Sequence, residues 1–119
     1  MKPGRTGLNR IYYATRYSFS GLKSAWICEA AFRQEIILTL VLLPVLFLVP
    51  LDLTSRLLMF FSLSALLIVE LLNSAVEAAI DRISSEHHEL SARAKDIASA
   101  AVFLAILQFV VVWVALLWP

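Results

Sequence analysis

Glycine is scarce in this chain: Gly4, Gly7 and Gly21 are the three it has. Phosphate-cradling loops of the Walker or protein-kinase type need glycines close together ahead of a helix, so both are excluded, and any nucleotide must be held by other means. Cysteine occurs once, as Cys28, which rules out an intrachain disulfide and leaves the redox compartment open. No Cys/His spacing resembles a zinc site. Charge is thin as well. Charged residues make up 16% of the chain, where ordinary domains carry about 25%. Ten basic against nine acidic residues leave a formal net charge of +1, so no nucleic-acid partner is expected. No short apolar core with a small-residue cleavage site precedes Ile36, where the first long apolar run begins; the chain therefore reads as lacking a signal peptide and starting near Met1.

What the chain has in abundance is hydrocarbon. Hydrophobic residues are 61% of the sequence and the mean hydropathy is +0.82, against about 45–50% apolar residues in ordinary domains. Such a chain belongs in a bilayer. Charge-free apolar runs cover 36–51, 57–69 and 97–119, and a span needs roughly 20 residues. The third run suffices alone. The first must borrow residues from Ala30 onward, with Arg33 snorkelling to the interface, and the second must continue through Glu70 to Ala79. Pro50 and Asp52 break the chain into a tight hairpin, with Thr54 available as a helix cap before Arg56.

Ahead of the first span, Leu8, Ile11, Tyr12, Thr15, Phe19, Leu22 and Trp26 share a narrow arc of a helix, while Arg10, Arg16 and Lys23 lie off it. That is the pattern of an amphipathic helix lying in the headgroup region; the alternative is a helix packed on the spans. The expected architecture is thus an all-α membrane protein forming a single domain over 1–119, with a surface helix near 7–27 and spans near 30–50, 55–82 and 92–118. Six of the ten basic residues (Lys2, Arg5, Arg10, Arg16, Lys23 and Arg33) precede the charge-free run of the first span, which places the N-terminus in the cytoplasm and the C-terminus across the membrane. Trp113 and Trp118 then fall in the outer aromatic belt. Ala94, Ala98, Ala101 and Ala105 form a small-residue stripe on the third span that permits close helix approach and supports an oligomer. Pro44, inside the first span, reads as a kink.

Glu70, Asn73, Glu77 and Asp81 follow at spacings of three, four and four, on one face of the second span, with Ser74 beside them. An ionised side chain near the bilayer centre costs about 2.5–3.5 kcal/mol or more, so two glutamates in one span need a function or a partner. Counting along the helix from Arg56 puts Glu70 roughly 20 Å from the outer interface and Glu77 about 10 Å further on, in a hydrocarbon core of about 30 Å. The stripe therefore runs from lipid to water. That suits a reaction in which one reactant arrives in the membrane and the other from the cytoplasm, and phosphoryl transfer to a lipid is such a reaction. Mg2+ on nucleotide phosphates needs one or two carboxylates, for which Glu77 and Glu29 are the candidates. Glu70, partly desolvated, is placed to accept a proton from a hydroxyl. The loop residues Glu86, His87, His88, Glu89, Arg93, Lys95 and Asp96 crowd the same interface, with Lys95 a candidate clamp on phosphate charge. A solvated connecting loop is the alternative reading. His87 and His88 diverge too far to chelate together and read as solvent or phosphate contacts.

The segments EAAFRQE (29–35), VELLNSAVEAAIDR (69–82) and HELSARAKDIASAAV (88–102) closely resemble the prokaryotic diacylglycerol kinases. The resemblance implies a homotrimer in the bacterial inner membrane, each copy carrying a surface helix and three spans, with active sites shared between neighbours. It implies transfer of the ATP γ-phosphoryl group to diacylglycerol. It also implies Glu70 as general base and Glu29 and Glu77 as metal ligands, with Asn73, Lys95 and Asp96 supporting catalysis or the nucleotide alongside Arg10, Tyr17, Glu86, His87 and His88. The lipid contacts it implies are Arg10, Ala14, Thr15, Arg16, Tyr17, Ser18 and Phe19, then Lys23, Ser24, Ala25 and Trp26. Ala31, Phe32, Arg33, Gln34 and Glu35 follow on the first span, and Arg56, Glu70, Ser99 and Trp113 complete the set. Two positions depart from the family's pattern: Cys28 stands where Asn is common and Ala92 where Gly is common, the latter narrowing backbone freedom in the nucleotide loop. Two other functions are compatible with buried carboxylates. One is an undecaprenol kinase of the same family, and the other a proton-coupled transporter subunit in which a membrane glutamate carries the proton.

Overall fold

The structure is a computed structural model that describes residues 6–119. Met1, Lys2, Gly4 and Arg5, used above, lie outside the described residues. Among the described residues four helices follow in order: α1 Gly7–Cys28, α2 Ala30–Leu48, α3 Leu53–Ile83 and α4 Glu89–Leu117. The last three are long and apolar enough to cross a membrane, and α2, the shortest at 19 residues, still reaches about 28 Å.

α1 opens on Gly7 at φ +61°, a conformation that L side chains avoid. Its apolar residues Leu8, Ile11, Tyr12, Phe19, Leu22 and Trp26 stay exposed and Ala25 is its one buried residue. Along most of its length the helix is therefore not packed on the spans of its own chain, as is expected of an amphipathic surface helix. Arg16 sits 5.9 and 5.8 Å from the ring centres of Tyr12 and Tyr13, a cation–π arrangement on the helix itself.

The α1–α2 joint is a single residue. Glu29 is extended (φ −118°, ψ 108°), its N–H donates to Ala25 O at 2.9 Å, and its own carbonyl accepts from the Arg33 N–H at 3.2 Å. The Arg33 guanidinium returns to the end of α1, donating to Trp26 O at 2.7 Å and Ile27 O at 2.9 Å. A cation on a helix C-terminus satisfies orphan carbonyls and opposes the helix dipole. Arg33 thus locks the joint as well as standing near the interface.

Arg56 does the same at the far end of α2, donating to Leu46 O at 2.6 Å, Phe47 O at 3.2 Å and Leu51 O at 2.7 Å. Between them, the Leu51 N–H reaches Val49 O at 2.9 Å across Pro50, a three-residue turn. The cap of α3 is Asp52 rather than Thr54: its carboxylate accepts from the Ser55 N–H, so the helix starts at Leu53 and Thr54 lies inside its first turn. α4 likewise starts three residues before the expected position, because His88 Nδ1 accepts from the Leu90 N–H at 3.1 Å and supplies the cap.

The core is a seam along α3. Met59, Leu63 and Leu66 recur at spacings of four and three, and Met59 and Leu63 pack with Leu46 of α2 and Trp113 of α4. Trp113 turns its indole into the core: it is 5% exposed and its N–H donates to Met59 O at 3.1 Å. A buried indole needs such an acceptor, and the carbonyl is available beside the α2–α3 hairpin. Trp118 remains exposed. The alanine stripe of α4 is partly used inside the chain, since Ala105 is buried and Ala94 and Ala98 are half-buried, with Ala101 exposed.

Candidate active site

The seam that is apolar near the hairpin turns polar near the other end of α3. Glu70 and Ser74 continue the spacing of Met59, Leu63 and Leu66 and are buried with them. The fold therefore delivers a carboxylate to the inside of the helix packing instead of the lipid face. Glu77 is half-buried one further turn along, and the Asn73 amide donates to its Oε1 at 2.8 Å. This leaves Asn73 Oδ1, Ser74 Oγ and Glu35 Oε1 buried with no hydrogen-bond partner in the chain. Leaving a buried polar group unpaired costs of order 1–3 kcal/mol each, and lipid offers no substitute partner. All three belong to residues around Glu70: Asn73 and Ser74 follow it by three and four residues on α3, and Glu35 feels its charge.

The charges around it are coupled. Glu70 feels the Glu77 and Glu29 carboxylates, and Glu35 on α2 feels Glu70. Lys95 of α4 donates to Asp81 Oδ1 at 2.7 Å and also lies within reach of the Glu77 charge. A cation beside them would relieve the repulsion that Glu77 and Glu29 exert on Glu70. Their donor set is hard oxygen, which fits a divalent ion whose remaining ligands are phosphate oxygens and water. Among the described residues no set of three or more His, Cys, Asp or Glu side chains could cage a metal alone.

Two cavities open beside this stripe. One, of about 570 Å³, lies between α1 and α3 and is lined by Ser18, Gly21, Ser24, Ala25, Cys28 and Glu29 with Leu71, Ser74 and Ala78 among the residues facing them. The other, of about 310 Å³, is built at the α3–α4 loop from Asp81, Ser84, Ser85, Glu86, His87, His88, Ser91, Ala92 and Lys95. The loop is ordered by the Glu86 N–H donating to Ser84 Oγ at 3.0 Å and by the His88 cap. The second cavity gathers Glu86, His87, His88 and Lys95 as the sequence expects and adds the Ser84, Ser85 and Ser91 hydroxyls, which were not anticipated. Their signal was a serine-rich turn beside a lysine. The first cavity collects Ser18, Ser24, Ala25 and Glu29 from the expected sets and adds Gly21, Cys28 and Ser74.

Other expected site residues are not brought together within one chain. Arg10 stands 18 residues before Cys28, about 27 Å along α1. Asp96 and Ser99 are exposed on α4. Arg56 caps α2 at the opposite end of the helices from Glu77, and Trp113 is core. Ala14, Thr15, Tyr17, Phe19, Lys23, Trp26, Ala31 and Gln34 are exposed along α1 and the start of α2, whereas Phe32 is buried.

Three apolar spans, an amphipathic N-terminal helix and a set of mutually interacting carboxylates beside an apolar cavity and a polar one define an integral membrane protein with an enzyme-like site. The profile of the prokaryotic diacylglycerol kinase family matches residues 16–117. The diacylglycerol kinase of Escherichia coli strain K12 is 49% identical over 118 residues, covering 99% of this chain and 97% of that one. That of Pseudomonas aeruginosa is 50% identical over 114 residues (96% and 93%), and that of Helicobacter pylori 37% over 111 residues (93% and 87%). The chain belongs to the prokaryotic diacylglycerol kinase family. It is a kinase, and the transporter alternative falls away.

Proposed function

We propose that the chain transfers the γ-phosphoryl group of ATP to the primary hydroxyl of diacylglycerol, giving phosphatidic acid and ADP, at the cytoplasmic face of a bacterial inner membrane. The observation that carries this reading is the buried Glu70, in line along α3 with the Asn73–Glu77 pair and beside an apolar and a polar cavity.

Glu70 acts as general base, taking the proton from the lipid hydroxyl as the oxygen attacks the γ-phosphorus. A positioned base of this kind is worth about 10²–10⁴-fold in rate. Glu29 and Glu77 would hold Mg2+, with Asn73 orienting Glu77 through its amide. Magnesium, when bound, neutralises charge on the transferring phosphates. The Arg33 lock on the α1–α2 joint fixes the backbone from which Glu29 projects. Lys95, paired with Asp81, is placed to stabilise phosphate oxygens by exchanging or sharing that partner. Glu86, His87 and His88 line the cavity assigned to the rest of the nucleotide.

The lipid enters between α1 and α3, where Ser18, Ser24 and Ala25 are its nearest contacts and the exposed residues from Ala14 to Trp26 guide it; Ala31 to Glu35 continue the contact on α2. Trp113, expected in the same set, is buried in the chain. The homotrimer of the family reading supplies what one chain lacks. Arg10, Asp96 and Ser99 are exposed in the single chain, as groups lent to a neighbour's site would be. The test is incubation of purified protein with γ-labelled ATP, Mg2+ and either diacylglycerol or undecaprenol. The label should appear in phosphatidate, and labelling of undecaprenol alone would reassign the acceptor.

A further inference from the structure

The cavity between α1 and α3 holds two features that the transfer reaction does not use. Ser74 is nine-tenths buried, lines the cavity and has no hydrogen-bond partner for its Oγ. Serines on helices ordinarily donate back to the carbonyl three or four residues earlier, as Ser18 and Ser62 do here; Ser74 does not. The second feature is Gly21, inside α1, where glycine costs about 1 kcal/mol relative to alanine. A Cβ placed there meets nothing within 4 Å, so packing within the chain does not demand it. Gly21 costs α1 stability and leaves open space that the cavity includes.

The position of Ser74 gives its ligand a chemistry. It stands four residues after Glu70, one turn or about 6 Å along the helix. On the helical wheel it lies between the acidic stripe and the Leu71, Ala75 and Ala78 side that faces the cavity. A hydroxyl at that border can donate to a neutral acceptor held in apolar surroundings close to the group that Glu70 deprotonates. In a diacylglycerol that acceptor is an ester carbonyl, which the glycerol backbone holds a few bonds from the free hydroxyl.

We propose that Ser74 and Gly21 form an ester seat in this cavity: Ser74 Oγ donates to an acyl ester carbonyl of the acceptor lipid and Gly21 leaves room for the glycerol, so that the enzyme prefers ester-linked to ether-linked acceptors. This rests on the diacylglycerol kinase reading above. Ser74 is a specificity-determining residue, not part of proton or phosphoryl transfer.

The experiment measures kcat and KM of the full-length protein for a 1,2-diacylglycerol and for its 1,2-dialkyl ether analogue of matched chain length, with Mg-ATP saturating. The wild type should show the lower KM for the ester. Ser74→Ala should raise the ester KM about 2- to 12-fold, the worth of one neutral hydrogen bond, and leave the ether KM and both kcat values in place. Ser74→Thr, which keeps the hydroxyl, should retain the ester preference. Gly21→Ala should raise KM for both lipids while leaving the fold at least as thermostable. An equal loss on both lipids in Ser74→Ala would make the residue structural or a subunit contact, a fall in kcat alone would place its hydroxyl on the phosphoryl group, and no change would leave it idle; each overturns the seat. Equal KM values for the two lipids in the wild type also overturn it while sparing the kinase reading, whereas absence of turnover on both would remove that reading itself.

Discussion

At the scale of single residues, the sequence shows which carboxylates matter because burying them is expensive. Glu70 and Glu77 stand out in an apolar run, and their spacing alone puts them on one face. What the spacing cannot give is which way the face turns, and that follows from Met59, Leu63 and Leu66, whose burial rotates Glu70 into the helix packing. Ser74 was visible only as a neighbour of the stripe; its unpaired hydroxyl depends on three-dimensional packing. Glu77→Gln removes one of two proposed ion ligands. Loss of even an outer partner of a metal site costs about 10–100-fold in affinity, so the Mg2+ concentration giving half-maximal rate should rise at least that much. A magnesium titration of the variant checks this; an unchanged requirement would take Glu77 out of the ion site.

At the scale of elements, two arginines hold helix ends and should separate stability from function. Arg33→Ala frees the carbonyls of Trp26 and Ile27 and loosens the joint that carries Glu29. Arg56→Ala frees those of Leu46, Phe47 and Leu51 far from the site. Hydrogen bonds to charged groups contribute about 1.5–3 kcal/mol each before exposure is discounted, so each variant should lose roughly 2 kcal/mol. Both should melt earlier in detergent, but only Arg33→Ala should also need more Mg2+. The α3 cap adds a pH dependence. The bond from Ser55 holds the Asp52 carboxyl below its ordinary value of 3.8. The ionised cap therefore stabilises the fold above that pH, and its contribution is lost as the pH falls through the lower value Asp52 has when folded. Asp52→Ala should melt earlier than wild type at neutral pH, with the difference shrinking below pH 3.8. The caps themselves were only partly legible: Thr54 and Asp52 both suit the role, and the path of the chain after Pro50 decides for Asp52.

At the scale of the molecule, hydropathy and charge placement sufficed for three spans and a surface helix, because a bilayer imposes length and polarity directly. Trp113 shows where that logic stops. A tryptophan near the end of a span reads as interfacial, yet the carbonyl of Met59, 54 residues away in sequence, draws it into the core. The basic N-terminal segment predicts a cytoplasmic start, and Cys28, the single and exposed thiol, reports on it. A membrane-impermeant maleimide should label Cys28 in inside-out membrane vesicles and spare it in right-side-out ones. The reverse pattern would invert the topology.

In the proposed mechanism Glu70 takes the proton from the lipid hydroxyl. The most direct measurement is the single-turnover rate of phosphatidate formation by Glu70→Gln, with helical content and Mg-ATP binding recorded on the same preparation. The rate should fall about 10²–10⁴-fold below wild type in a protein that is folded and still binds nucleotide. A rate close to wild type would contradict that role.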